Sequence, residues 1–242
     1  MDGPARHGTS ESTIQVMNKS NRIIVFANQK GGVGKSTLCI LFADYLAEKR
    51  QPVAVIDADL QQTIVVQRQR ELEASGLNPE LVPWDAVPLD TGNLADVKDA
   101  MDTAKEYPGT ILIDAPGNLA DDNLVPIFAS ADYIIAPMSY HPNVVDSTRR
   151  FAEVMQQLKE SLDLKFKTWF LPNRIDDRKK ADLEQLKLDA WMALHNHGDI
   201  LTRINDRAYL ERCSTLSLSS QQSGAVRYAF DRIITEIEEN EK

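Results

Sequence analysis

The stretch 27-ANQKGGVGKSTLCI-40 places three glycines between two lysines, Lys30 and Lys35. An apolar run precedes it and an amphipathic helical pattern follows it. Glycines allow a loop to curl tightly and to turn several backbone N–H groups toward one point. The first turn of the helix adds the positive end of its dipole at the same place. The stretch therefore predicts a phosphate-binding loop between a strand and a helix.

The side chains of this loop also fit a nucleotide. The pattern is close to G-x-x-x-x-G-K-[ST], with Gln29 where the first glycine usually stands. Lys35 can reach the β- and γ-phosphates, and the Ser36 hydroxyl can ligate Mg²⁺. The residues that we expect to contact the nucleotide here are Gly31, Gly32, Val33, Gly34, Lys35, Ser36 and Thr37.

Strand-like and helix-like runs alternate along the chain. This alternation predicts an α/β fold, a doubly wound and mostly parallel sheet with helices on both faces, in one domain over 21–242. In such sheets ligands bind outside the carboxyl ends of the strands. The predicted strands are 22–28, 52–57, 82–89, 110–115, 133–138 and 166–172. The predicted helices are 36–50, 62–74, 93–106, 144–162, 178–197 and 222–241.

Composition limits the setting of the protein. A net charge of −9 means that any contact with DNA or an anionic membrane must come from a local basic patch. Two distant cysteines, Cys39 and Cys213, give no disulfide framework. Residues 1–20 have no apolar core of a signal peptide, and we expect a disordered tail there. These features predict a cytoplasmic protein without a membrane span.

Three motifs resemble one family. The stretch 30-KGGVGKS-36 matches K-G-G-x-G-K-[ST], the deviant P-loop of the ParA/MinD ATPases. The segment 57-DADLQQ-62 is similar to the switch I motif D-x-D-P-Q, with Leu60 in place of proline. The segment 111-ILIDAPG-117 resembles the family's Walker B and switch II. The resemblance extends over about residues 22 to 240 and is closest to the small ParA-type partition proteins.

The resemblance implies roles for the charged residues. Lys30 would reach across a dimer interface to the partner's nucleotide and act in catalysis together with Lys35. Asp59 would orient the attacking water. Asp114, and Asp57 through water, would support Mg²⁺ beside Ser36. From the residues alone, Lys30 could instead be a solvated loop lysine, and the acidic residues could serve as structural or turn-capping groups at strand ends.

The base site is expected after the last predicted strand. Asn173 and Arg174 occupy the position of the family's asparagine–arginine pair, where the amide would contact adenine. The run 173-NRID-176 is also close to the guanine-binding motif N-K-x-D, so GTP stays open as the nucleotide. The P-loop variant favours ATP.

The family cycle implies a slow ATPase whose hydrolysis is stimulated by a ParB-like or other protein. Its ATP-bound homodimer would bind DNA non-specifically at the nucleoid and position a plasmid, a chromosome or other cargo. Residues 165–227 carry 11 basic and 8 acidic residues, a local excess of positive charge. Arg203, Arg207 and Arg212 recur there at a helix-like spacing. The proposed DNA contacts are Arg203, Arg207, Arg178, Lys179 and Lys180, although an ordinary solvated surface would look the same.

Other members of the family are less compatible with the sequence. The acidic end 228-YAFDRIITEIEENEK-242 would be repelled by anionic lipid, which disfavours a membrane anchor of the MinD type. Iron–sulfur and arsenite-pump relatives need cysteines near switch II, and none lies in 114–123. Two alternatives remain: a DNA-independent ATP switch that regulates a protein, and a metabolic enzyme such as dethiobiotin synthetase, for which no substrate motif is found.

Overall fold

The computed structural model describes residues 21–118, 121–178 and 180–241, without the side chains of 180 and 181. The predicted tail 1–20 and Lys179 lie outside the described residues. Within the described residues, seven strands form one sheet. Continuous β-branched and apolar runs build its central strands because both faces of the sheet are covered. The strands are β1 (Arg22–Phe26), β2 (Val53–Asp57), β3 (Asp85–Pro88), β4 (Thr110–Asp114), β5 (Tyr133–Met138), β6 (Lys167–Pro172) and β7 (Asp199–Ile200).

Helices connect the strands and cover the sheet. α7 begins with a capping box, in which Ser219 and Gln222 satisfy each other's backbone N–H groups. Short 3₁₀ turns occupy Pro79–Leu81 and Asp122–Leu124. The helices are α1 (Lys35–Glu48), α2 (Thr63–Ser75), α3 (Leu94–Glu106), α4 (Val125–Ala129), α5 (Pro142–Ser161), α6 (Lys180–Leu194) and α7 (Ser220–Asn240).

All seven strands are parallel, in the order β3-β2-β4-β1-β5-β6-β7. One face of the sheet packs against α3, α4, α5 and α6, and the other packs against α1, α2 and α7. The predicted doubly wound α/β fold is confirmed. The central strand β1 lies between β4 and β5, so the carboxyl ends of β1, β2 and β4 meet at one edge. Among the described residues, no helix has the length and apolarity to cross a membrane.

The segment 200–213 departs from the prediction. The spacing of Arg203, Arg207 and Arg212 suggested a helix, but residues 201–213, which follow β7, form an irregular loop. Ile204 explains its path, since the residue is buried in the core and its N–H bonds to the Pro172 carbonyl at the end of β6. Burial of apolar anchors therefore overrides the periodicity of the arginines. The short β7 and α4 were also not predicted, because runs of two and five residues show no clear period.

Candidate nucleotide site

The glycine loop between β1 and α1 has the backbone geometry of an anion site. Gly32 and Gly34 have φ values of +75° and +96°, which side chains rarely allow. Gly34 is the N-cap of α1 and supplies no side-chain cap, so the first N–H groups of the helix stay available to a ligand. A Cβ on Gly31 or Gly32 would meet no atom within 4 Å, so the space over the loop is open. The loop can therefore hold phosphates through its backbone.

Asn28 fixes the start of this loop. It is fully buried, and its amide nitrogen donates to the Pro137 carbonyl and to the Thr148 hydroxyl, both at 2.9 Å. Its Oδ1 accepts from the backbone N–H of Lys30 at 3.1 Å. The backbone of Lys30 is thus anchored while its side chain is exposed. This positioning role of Asn28 was not predicted from the sequence. The sequence indicates it only by a polar residue at the end of an apolar run.

Lys35 is the first residue of α1 and lies under the segment that follows β4. A Cβ on Gly117 would come within 3.7 Å of the Lys35 Nζ and 3.9 Å of the Gln29 carbonyl. A glycine at this position lets the switch II segment, residues 114–117, lie close to the loop. The ammonium group is therefore held between the phosphate loop and switch II, where it can meet a phosphate.

Asp57 and Asp114 lie side by side at the ends of β2 and β4. Asp57 Oδ2 accepts from the N–H groups of Ile64 and Val65, at 2.9 and 3.1 Å, and so caps α2. Its Oδ1 and both carboxylate oxygens of Asp114 are buried and have no hydrogen-bond partner. Burial raises the pKa of both carboxyls, that of Asp114 to about 7, although the nearby Ser36 and Lys35 act in the opposite direction on Asp114.

These orphaned oxygens fit a cation shell. A buried carboxylate without a partner is costly, and a hard cation with its waters would satisfy it. Within 21–118, 121–178 and 180–241, no group of three or more His, Cys, Asp or Glu side chains is placed to hold a metal ion. A P-loop site does not need one, because Mg²⁺ there keeps several waters and takes a hydroxyl and phosphate oxygens. Ser36, Asp114 and Asp57 therefore suit Mg²⁺ bound together with a nucleotide.

Asp59 lies in the turn between β2 and α2. Its Oδ1 accepts from the Gln61 N–H at 3.0 Å, which closes an Asx turn, and Gln62 continues with φ +45°. Leu60, in the position of the family's proline, is 81% exposed. Asp57 and Asp59 therefore both make turn-capping contacts, which the sequence analysis gave as the alternative to a role in metal binding or catalysis. The capping leaves Asp57 Oδ1 without a partner.

Asn173 and Arg174 connect the end of β6 to the glycine loop. The Asn173 amide donates to the Val33 carbonyl at 2.9 Å, and a Cβ on Gly34 would lie 2.5 Å from it. Arg174, with φ +57°, donates to the Gly32 carbonyl at 3.0 Å and to Glu211 at 2.7 Å. Both residues thus lie where the base site was expected, and both also position the phosphate loop.

A pocket opens next to Asn173. Its far wall is the segment 205–211, here called the base loop, which the sequence did not predict as part of the site. The only signal was its place after the short apolar run 200–201. The Oδ1 of Asn205 is buried without a hydrogen-bond partner. The pocket is lined by Gly34, Thr37, Leu38, Leu41, Asn173, Arg174, Asn205, Asp206, Arg207, Leu210 and Glu211.

The predicted DNA contacts do not form one uncompensated patch. Arg178 pairs with Asp176 at 2.8 Å, and Arg203 pairs with Asp177 at 2.8 Å. Arg207 is exposed and lines the pocket beside Asn173, here called the candidate base pocket, or base pocket for short. Lys180 begins α6, and its side chain, like Lys179, lies outside the described residues. Of the three predicted cations whose side chains are described, Arg178 and Arg203 are therefore matched by the chain's own carboxylates.

Comparison with solved structures supports the fold. A plasmid partition protein of Borrelia burgdorferi B31 bound to AMPPNP is 21% identical, with a TM-score of 0.68 over 90% of this chain and 100% of that chain. The ATP complex of a Cyanothece McdA variant is 18% identical, with a TM-score of 0.70 over 89% of this chain and 95% of that one. A chain of the Aquifex aeolicus MinC:MinD cell division complex is 18% identical, with a TM-score of 0.66 over 88% and 96%.

Sequence comparison identifies the family. No curated protein matches the chain at a significant level. The model of the CobQ/CobB/MinD/ParA nucleotide binding domain matches residues 24–213, which include the glycine loop, both aspartates, Asn173 and the base loop. The chain therefore belongs to the CobQ/CobB/MinD/ParA nucleotide-binding domain family.

Proposed function

We propose that this protein is an ATPase that dimerises with ATP and acts as a switch for positioning DNA or another cargo. The proposal rests on one observation: the two lysines of the glycine loop, Lys35 and Lys30, differ in position and in exposure. Lys35 lies between the loop and switch II, whereas Lys30 is exposed on a backbone that Asn28 anchors. An exposed lysine beside the phosphate site can serve a nucleotide bound by a second copy of the chain.

The residues divide the work of phosphoryl transfer. The loop N–H groups and Lys35 hold the phosphates, and Lys30 of the partner subunit adds a second positive charge against the charge that develops on them. Ser36, Asp114 and Asp57 would hold the hydrated Mg²⁺, which neutralises phosphate charge when it is bound. Asp59, in the turn before α2, orients the attacking water.

ATP is the proposed nucleotide. The P-loop variant resembles that of ATPases, and the Asn173 amide, although it donates to the Val33 carbonyl, keeps a second N–H and its oxygen for the adenine edge. The Borrelia partition protein and the Cyanothece McdA variant were solved with AMPPNP and ATP, which supports the same choice for this chain.

A second candidate function is an ATP switch that acts on a protein without DNA. The pairing of Arg178 with Asp176 and of Arg203 with Asp177 favours it, because paired arginines contribute less to phosphate binding. The Aquifex complex of MinC with MinD is a case in which a similar chain assembles with a protein.

Analytical ultracentrifugation of the Asp59→Ala protein separates these functions. The protein is run without nucleotide, with ADP and with ATP·Mg²⁺, each with and without duplex DNA of arbitrary sequence, at low and moderate salt. A dimer specific to ATP that co-sediments with DNA at low salt supports the positioning ATPase. A dimer that ignores DNA supports the protein-directed switch. A monomer under all conditions overturns both, provided that ATP binding is retained, and Lys35→Ala serves as the control without nucleotide.

A further inference from the structure

A buried polar cluster joins α2 to the chain beyond the base loop. Arg68, only 6% exposed, donates to the Thr215 hydroxyl at 2.9 Å and to the Thr215 carbonyl at 2.7 Å. Its third bond goes to the Trp84 carbonyl at 2.7 Å, and its guanidinium lies 4.0 Å from the centre of the Trp84 ring. These three hydrogen bonds all join the side chain to two fixed points outside α2.

Glu71, one turn further along α2, binds the same segment. Its Oε2 accepts from the N–H and the hydroxyl of Thr215, both at 2.7 Å, and from the Ser214 hydroxyl at 3.1 Å. Burial would raise the pKa of Glu71, but the hydrogen bonds from Gln67, Thr215 and Ser214 outweigh it and leave the pKa below its ordinary value. Arg68, Glu71 and Thr215 thus form a charged, hydrogen-bonded group, here called the α2 latch.

A latch of this kind fixes geometry more than it adds stability. Arg68 and the partly buried Glu71 meet through Thr215, and the hydrogen bonds of such charged groups roughly offset the cost of taking the charges out of water. Directional bonds, however, permit only one register between α2 and the segment 213–215. The cluster therefore serves to hold α2 in one position rather than to raise the stability of the fold.

The α2 latch connects two segments of the nucleotide site, switch I on one side and the base loop on the other. On one side α2 begins directly after switch I, residues 57–62, and its first N–H groups are capped by Asp57. On the other side the segment 213–215 continues from the base loop. Glu211 at the end of that loop binds Arg174, which in turn donates to the Gly32 carbonyl.

We propose that Arg68 and Glu71 are positioning residues that couple the base pocket to switch I. A base bound against the base loop would restrict the motion of the segment 213–215. Through the hydrogen bonds of the α2 latch, it would also restrict the motion of α2 and of Asp59 in the turn before it. The protein would then hydrolyse a nucleotide only when both its phosphates and its base are in place. The inference rests on the proposed nucleotide site and adds how that site distinguishes a nucleotide from free polyphosphate.

Hydrogen exchange with ADP·Mg²⁺ and with pyrophosphate·Mg²⁺ tests this coupling. Both ligands offer a diphosphate to the glycine loop, and only ADP offers a base. We expect both to protect residues 29–37, and ADP to protect residues 57–64 at least about fivefold more than pyrophosphate does, the lower end of usual coupling factors. Glu71→Gln and Arg68→Met should lose this difference while the loop stays protected. Glu73→Gln, an exposed glutamate on the same helix, is the matched control and should keep it.

The outcomes separate the coupling from the nucleotide site. Equal switch I protection by ADP and pyrophosphate in the unaltered protein would overturn the coupling. An ADP-specific difference that persists in both latch variants would overturn the role of Arg68 and Glu71. If neither ligand protects residues 29–37, the nucleotide site itself fails, and the coupling fails with it. Steady-state ATP hydrolysis provides a second readout, because the latch variants should lower kcat about tenfold with a smaller change in KM.

Discussion

Asp57 and Asp114 end neighbouring parallel strands in direct register, and each keeps at least one buried carboxylate oxygen without a hydrogen-bond partner. Two such groups next to each other are unfavourable in the absence of a cation, since burial and mutual repulsion both act against their charges. The fold tolerates this cost at a place where bound Mg²⁺ would remove it. Functional sites commonly lower the stability of the fold in this way.

The first prediction concerns Asp114. Asp114→Asn should stabilise the nucleotide-free protein at pH 8 by about 1–3 kcal/mol, because it removes a charge whose burial outweighs the help of Ser36 and Lys35 and raises the pKa of the carboxyl to about 7. The melting temperature should rise by several degrees. The same variant should lose Mg²⁺-dependent ATP hydrolysis. Thermal melts without Mg²⁺ and a phosphate-release assay measure both effects, with Asp99→Asn, an exposed aspartate on α3, as the control. A lower melting temperature would show that the contacts of Asp114 with Ser36 and Lys35 outweigh the cost of its burial.

The second prediction concerns Asp44 in α1. Its Oδ1 accepts from the Trp84 indole N–H at 2.7 Å, and its Oδ2 is buried without a partner. Burial raises the pKa of Asp44 to about 7; Trp84 and Arg68 lower it, and Glu48 and Glu71 add to the rise. Because the folded pKa is above the unfolded value, the stability contributed by the protonated carboxyl is complete below about pH 4 and is lost as the pH rises to 7.

Asp44→Asn keeps an acceptor for Trp84 and removes the titration. The stability advantage of the variant over the unaltered protein should therefore grow between pH 5 and pH 8, by about 2–3 kcal/mol. Urea denaturation at the two pH values measures this change. A stability difference that is the same at both pH values would contradict the raised pKa. Glu106→Gln, an exposed glutamate of α3 on the opposite face of the sheet, is the control for a general charge effect.

How far the sequence predicted the molecule depends on the range of the interactions. The glycine loop, the central strands and the order of Lys35, Asp57 and Asp114 follow from local patterns, because a phosphate loop and a buried parallel strand need particular residues in a row. The fold class followed from their alternation and is confirmed.

The unpredicted parts depend on contacts between distant segments. Arg68 and Thr215 are 147 residues apart, and no local pattern of either segment indicates the other. The resemblance and the spacing of the arginines predicted a DNA contact for Arg207 but not its place in the lining of the pocket beside Asn173, which depends on the bond of Ile204 to the end of β6. Asn28 could be recognised only as a polar residue at a strand end, because its partners Pro137 and Thr148 belong to later elements.

The third prediction tests the phosphate loop itself. Lys35→Ala should abolish ATP and ADP binding, because its ammonium lies between the loop and switch II, beside the expected phosphates. Isothermal titration calorimetry measures this loss. Lys98→Ala, an exposed lysine on α3, controls for the removal of one positive charge. Tight ATP binding by the Lys35→Ala protein would refute the proposed site.

The fourth prediction separates the two lysines. Lys30→Ala should bind ATP within about threefold of the unaltered protein, since its side chain is exposed and Asn28 holds only its backbone. It should nevertheless stay monomeric with ATP·Mg²⁺, because the second charge on each nucleotide would come from the other subunit. Its ATP turnover should fall by roughly 100-fold, as when a stabilising cation is lost from a phosphoryl-transfer site.

Sedimentation with and without ATP·Mg²⁺ measures the dimer of the Lys30→Ala protein. Mixing it with the Lys35→Ala protein sharpens the test, since that partner keeps Lys30 but binds no nucleotide. A mixed dimer would hold one nucleotide, bound by the Lys30→Ala subunit and contacted by Lys30 of the other. Restored hydrolysis in the mixture, with neither variant active alone, would place Lys30 in trans. A Lys30→Ala protein that dimerises and hydrolyses ATP normally would leave the exposed lysine without a role in the switch.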